Sequence, residues 1–141
     1  SLVELIIVIA IMAVLIGVLA PQYLKYVESS RLQKDNQAIA EIANSIKIAM
    51  ADETINSSIA NSASESFDVN ASHQYVFPSS PATALSTELS TVVGTTVTMS
   101  SNTYSGTAPT IVVSKDANGM ITVTAQNYKT SSTAAAITQT F

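Results

Sequence analysis

The chain divides at about residue 21 by its pattern alone. From Leu2 to Ala20 the positions are Val, Ile, Leu, Ala, Met and one Gly, with a single ionisable side chain, Glu4. There is no polar face, so the run predicts a helix solvated by lipid or by copies of itself rather than a soluble core helix. Roughly 19 such residues are long enough to cross a bilayer. Beyond Gln22 the pattern becomes amphipathic: Ile39, Ile42, Ala43, Ile46, Ala49 and Met50 follow the 3,4 spacing of one helix face. That stripe predicts packing against a folded head, with the helix fraying near Thr54 to Ser58 as Ser and Asn begin to dominate.

The head follows. Residues 55–81 read as a Ser- and Asn-rich loop with apolar anchors at Ile59, Phe67, Val69, Tyr75, Val76 and Phe77, closed by Pro78 and Pro81. Thr83 to Val93 predicts a short helix with Leu85, Leu89 and Val92/Val93 on one side. The period then changes to two. Val97 and Met99, Ile111 and Val113, and Ile121 and Val123 alternate with Thr or Val, which predicts strands. Asn118-Gly119 lies between the last two runs, a pair that accepts positive φ in a hairpin turn. The expectation is one antiparallel sheet of three or four strands. Ile, Val and Met face the helix, Thr and Ser coat the other face, and Thr130 to Phe141 form an edge strand or a covering loop. The fold class is therefore α+β: a long amino-terminal helix packed on a small antiparallel sheet. The expected units are 1–24, an apolar anchor; 25–55, its amphipathic continuation; and 56–141, the head.

Two features of the helix stand out. Glu4 is costly to desolvate in lipid or packed protein, although the helix dipole favours an anion in the first turn. Gly17 and Pro21 are four residues apart. Pro21 cannot donate to the Gly17 carbonyl, and glycine is itself a poor helix former. They mark a soft spot that is either a gentle kink or a segment that unwinds.

Composition narrows the function. Of 141 residues, 47% are hydrophobic and 11% charged, and the net charge is −4. The positive mean hydropathy of +0.32 is carried largely by the first 20 residues. Nothing in that balance resembles a general nucleic-acid surface. With no cysteine, disulfides and thiolate metal sites are excluded. His73, the one histidine, stands in a polar loop without a second ligand beside it. Asp116 and Asn118 supply two oxygen side chains, short of the six to eight that calcium takes. No phosphate loop, nucleophile elbow or catalytic carboxylate pair is present, and we expect no enzyme activity, cofactor or metal. Asn56-Ser-Ser58 and Asn70-Ala-Ser72 match the N-glycosylation pattern, as chance matches do in a Ser/Asn-rich chain. Lys25, Glu28, Arg31, Lys34, Asp35, Glu41 and Lys47 read as a mostly solvated face, with Arg31 and Asp35 spaced to pair. The tyrosines, Tyr23, Tyr26, Tyr75, Tyr104 and Tyr128, are scattered and suit packing and interfaces.

Ser1-Leu-Val-Glu-Leu-Ile-Ile-Val-Ile-Ala-Ile-Met-Ala-Val-Leu, followed by Gly17 and Pro21, resembles the amino terminus of type IV pilins and type II secretion pseudopilins over about the first 30 residues. The resemblance implies a methylated phenylalanine ahead of Ser1 and a short basic leader removed by a prepilin peptidase. A secretory signal peptide would show a basic region and a small-x-small site, and neither flanks the apolar run. The missing disulfide looks more like pilins of Gram-positive bacteria. On this resemblance the chain is a major pilin, made in the cytoplasmic membrane and assembled with itself into an extracellular filament for adhesion, motility or DNA uptake. Glu4 would meet the terminal amine, here that of Ser1, of an adjacent copy. Gly17 and Pro21 would mark the melting segment, and Ile39, Ile42, Ile46 and Met50 the contact between helix and head. Partners would be further copies, the membrane, the prepilin peptidase and assembly machinery, and host surfaces or DNA. The alternatives are a major pseudopilin of a secretion or competence machine and a membrane-anchored binding domain.

Overall fold

The first helix, α1 (Leu2–Ala49), is 48 residues long and runs unbroken through Gly17 and Pro21, a length of about 72 Å at 1.5 Å per residue. This computed structural model describes residues 1–100, 110–126 and 137–140. Leu32 is half-buried against the core and Asp35 is the first fully buried residue of α1; from there Ile39, Ile42, Ala43, Ile46 and Ala49 face the head. It then stops short of the expected fraying at 54–58. Asp52 caps a separate short helix, α2 (Glu53–Ser58), its side chain accepting from Thr54 N at 2.8 Å. A side-chain acceptor at that position satisfies one orphan amide of a new helix, so the chain restarts rather than frays.

The loop expected over 55–81 is only partly a loop. It holds β1 (Ser64–Asp68) and β2 (Gln74–Val76). Strand β1 carries one apolar residue, Phe67, so it shows no alternation. Its partner β4 (Thr110–Lys115) supplies the pairing, with Phe67 opposite Ile111. Helix α3 (Ala84–Val92) is capped by Thr83, which accepts from Ser86 N at 3.1 Å. Leu85 and Leu89 are buried, whereas Val92 faces solvent.

The expected single sheet is divided. Strand β3 (Thr96–Thr98) pairs with β2 in a two-stranded ribbon. The main sheet is antiparallel and four-stranded, in the order β1-β4-β5-β6, with β5 spanning Ile121–Gln126 and β6 Ile137–Thr140. Residues 137–140 of the tail thus form an edge strand, and the remainder of 130–141 lies outside the described residues, as do Tyr104 and Tyr128. Ile111, Val113, Ile121, Val123 and Ala125 point into one core with the α1 stripe, Leu85, Leu89, Tyr75 and Phe77. Phe67 and Phe77 meet edge to face, their centroids 5.4 Å apart. The solvent side of the sheet carries half-buried Val112, Ser114, Thr122 and Thr124. Met99 is buried, but Met120, in the turn, is exposed. The class is α+β, with the long amino-terminal helix packed on the antiparallel head.

Candidate assembly surface

The apolar half of α1 touches nothing in its own chain. Its large side chains from Leu2 to Leu19 are all exposed, and this is a helix long and apolar enough to cross a membrane. Tyr23 and Tyr26 follow, also exposed, at the point where the chain turns polar. Amphipathic rings just past an apolar run suit a membrane–water boundary. So much apolar surface on a single helix has no stable place in water. It needs lipid or other helices around it.

At the tip, the Ser1 amine donates to Glu4 Oε2 at 3.2 Å. Both groups are open to solvent, Glu4 being 84% exposed, so the contact within one chain is local and replaceable. Gly17 and Pro21 lie in continuous helix, and a Cβ placed on Gly17 would meet nothing within 4 Å. Glycine there answers to no crowding inside this chain. Ile39, Ile42, Ile46 and Met50 are all buried in the head core.

Two charged residues sit where the pattern did not place them. Asp35, read as part of a solvated face and a partner for Arg31, is 1% exposed, and its Oδ1 accepts from Ser100 N at 2.7 Å. Arg31 stays on the exposed side of the helix. A buried carboxylate persists when it is hydrogen-bonded, and here the bond ties the end of the ribbon segment to α1. Lys115 is 9% exposed and lies at the end of β4. Its ammonium donates to Asn56 O at 2.9 Å, to Ile59 O at 3.2 Å and to Asn56 Oδ1. These oxygens belong to the carboxy-terminal end of α2, where a cation complements the helix dipole. Asn56 Nδ2 in turn donates to Met50 O at 3.0 Å. One side chain thereby links sheet, short helix and the end of α1.

The other marked positions have local roles. Asp116 Oδ1 accepts from Asn118 N and Met120 N, both at 2.8 Å, and Gly119 takes φ +87°. The carboxylate is thus occupied as the brace of its own turn. Asn70 Oδ1 accepts from Ser72 N and Gln74 N. His73 is exposed, with φ +59° in the same turn, and its carbonyl accepts from Met99 N.

No family model matches the chain, and no solved structure matches it. It is similar to a protein of Clostridium perfringens (strain 13 / Type A) named Prepilin peptidase-dependent protein A, with 36% identity over 61 residues. That stretch covers 43% of this chain and 44% of the relative, so the chain spans less than half the length of the curated relative it matches. The likeness, with the long apolar helix, supports a pilin-like class.

Proposed function

We propose that the chain is the repeated structural subunit of an extracellular type IV pilus: a major pilin that is held in the cytoplasmic membrane before assembly and has no catalytic role. The observation that carries the reading is the apolar half of α1, rooted in a folded head yet touching none of it. In lipid that helix is solvated by acyl chains, and in a filament by the same helix of other copies. Transfer from one to the other exchanges one apolar environment for another. Contact geometry and the few polar groups then decide the assembled state.

Glu4 is the polar group that matters most. In a dry bundle its carboxylate would leave water, and the amine at a neighbouring subunit's terminus would compensate it. Such a pair contributes little net stability after desolvation, but it discriminates against any arrangement that leaves either charge alone. In the isolated chain the Glu4 carboxylate is 84% exposed, so it is open to that partner. Gly17 and Pro21 supply a segment that can unwind as copies pack, because one helical bond is already missing there. Processing by a prepilin peptidase fits the name of the Clostridium perfringens relative. Extension would require separate motor and assembly proteins. Host surfaces or DNA would meet the heads of the finished filament.

The test is electron microscopy of material sheared from cells, with the intact subunit mass from the same sample. Filaments built from this chain, with a mass that fits a methylated phenylalanine ahead of Ser1, are the expected result. A chain that stays in the membrane fraction and yields no filaments overturns the reading. A secretion or uptake defect in such cells would then point to a pseudopilin.

A further inference from the structure

The chain carries two Asn-x-Ser patterns, and the pattern by itself does not separate an acceptor site from a chance match. The fold treats the two in opposite ways. Asn56-Ser-Ser58 lies in α2, where residues two apart stand on different faces of the helix. Asn56 is half-buried and both ends of its amide are engaged: Nδ2 donates to Met50 O, and Oδ1 accepts from the Lys115 ammonium. The Ser58 hydroxyl donates to Ile55 O. Neither group of this pattern is open to an enzyme.

Asn70-Ala-Ser72 lies in the turn between β1 and β2, and all three residues are exposed. The base of the turn is fixed. Val69 and Tyr75 bridge across it and are buried, and Asn70 N donates to Gln74 O at 2.9 Å. Two backbone amides, Ser72 N at 2.9 Å and Gln74 N at 3.0 Å, converge on one side-chain atom of Asn70. Two donors require an acceptor, so that atom is Oδ1, and the other is the nitrogen. Among the described residues neither Asn70 Nδ2 nor the Ser72 hydroxyl has a hydrogen-bond partner. The amide is thus pinned through its oxygen, in an Asx-type turn, and its nitrogen is left over.

We propose that Asn70 is a glycosylation site, and that its donor is a saccharide carried on a lipid phosphate. In the transfer, Nδ2 forms a bond to the anomeric carbon of the sugar. The bond from that carbon to the phosphate oxygen breaks, and its electron pair leaves on the phosphate. One Nδ2 proton passes to a base of the transferase, so no oxidant or reductant is needed. An amide nitrogen is a weak nucleophile, and its activation belongs to the transferase. This chain contributes an uncommitted amide nitrogen, a free hydroxyl two residues on, and a turn that exposes both. Its apolar helix, long enough to span a membrane, holds the head beside the surface where a lipid-borne donor resides. The inference rests on the head lying outside the cytoplasmic membrane, as the filament reading above also requires.

The test is peptide mass mapping of the subunit purified from its own cells. The peptide with Asn70 is expected to carry a saccharide, and the peptide with Asn56 to be bare. Ser72→Ala keeps both amides that hold Asn70, since they come from the backbone, and removes only the hydroxyl. It should leave thermal unfolding unchanged and abolish the modification, and Ser72→Thr should restore it. An unmodified Asn70 in the native subunit overturns the proposal. So does a saccharide that survives Ser72→Ala, or one found only on Ser and Thr hydroxyls. Membrane-held subunit serves as well as filaments, so cells without filaments overturn the filament reading and leave this test in force.

Discussion

Replacing Lys115 with Met keeps most of the volume and length of the side chain and removes only the ammonium. Three oxygens then lose a donor: Asn56 O, Asn56 Oδ1 and Ile59 O. The bond to Ile59 O is the buried one, and an orphaned buried acceptor costs about 1–3 kcal/mol. The two Asn56 oxygens are only partly buried, and water recovers part of their loss. Against this, the ammonium no longer has to be desolvated, which offsets a share of the cost. The net expectation for Lys115→Met is a loss of about 1–3 kcal/mol, which is roughly 4–24 °C in Tm for a head of this size. Asn56→Leu should cost a similar amount, because it strips one oxygen from the ammonium and the donor from Met50 O. If the two residues act as one link, the double variant loses less than the sum of the singles by at least about 1 kcal/mol. The assay is thermal unfolding of the detergent-solubilised chain, followed by near-ultraviolet circular dichroism of buried Tyr75, since the chain has no tryptophan. Additive losses, or a Lys115→Met variant as stable as wild type, would refute the argument that this ammonium ties the sheet to α2 and α1.

Three further outcomes are expected. Glu4→Gln and Glu4→Ala should abolish or slow assembly while leaving a folded, membrane-held subunit; normal filament yield from either removes Glu4 from the mechanism. Ile46→Ala, at a fully buried site, should cost the head about 2–5 kcal/mol. Ile48→Ala, two residues away on the exposed face, should stay within about 0.5 kcal/mol; equal losses in thermal unfolding would contradict the helix orientation. Gly119→Ala places a Cβ 3.8 Å from Asn61 Oδ1, so space is ample, but the backbone sits at φ +87°. The expected loss is about 1–2 kcal/mol from that conformation alone, and an unchanged Tm would show that the turn relaxes.

What could be read from the residues was local. The apolar run needed only its length and its lack of a polar face. Helix α3 announced itself through Leu85 and Leu89 at four-residue spacing, and the β4–β5 hairpin through Asn118-Gly119. Strand β1 carries no such signal, because Ser64-Glu-Ser-Phe-Asp68 becomes a strand through β4, more than forty residues away in sequence. For the same reason β3 pairs with β2 rather than joining the single sheet that the pattern predicts: alternation reveals a strand but not its partner.

The two buried charges did leave a trace. Asp35 stands four residues before Ile39 and seven before Ile42, in line with the buried stripe, and Lys115 continues the inward parity of Ile111 and Val113. An ionisable residue that keeps the phase of the core is a candidate for burial with a partner. Treating charges as a class, rather than by phase, hid both. At Glu4 the pattern supplied the chemistry and the structure supplied its openness; the intersubunit partner lies beyond a single chain.

The unbroken helix has a mechanical consequence. Residues 1–26 are exposed throughout and Leu32 is the first side chain packed on the core, so the apolar half of the helix is a free arm. From Pro21 to Leu2 the arm measures about 28 Å at 1.5 Å per residue. A hinge of only 10° at the missing Pro21 bond swings the tip by about 5 Å, roughly one helical turn of height. A small rotation in the middle of the rod is thus geared up into a whole step at the end that carries Glu4, while the head need not move at all.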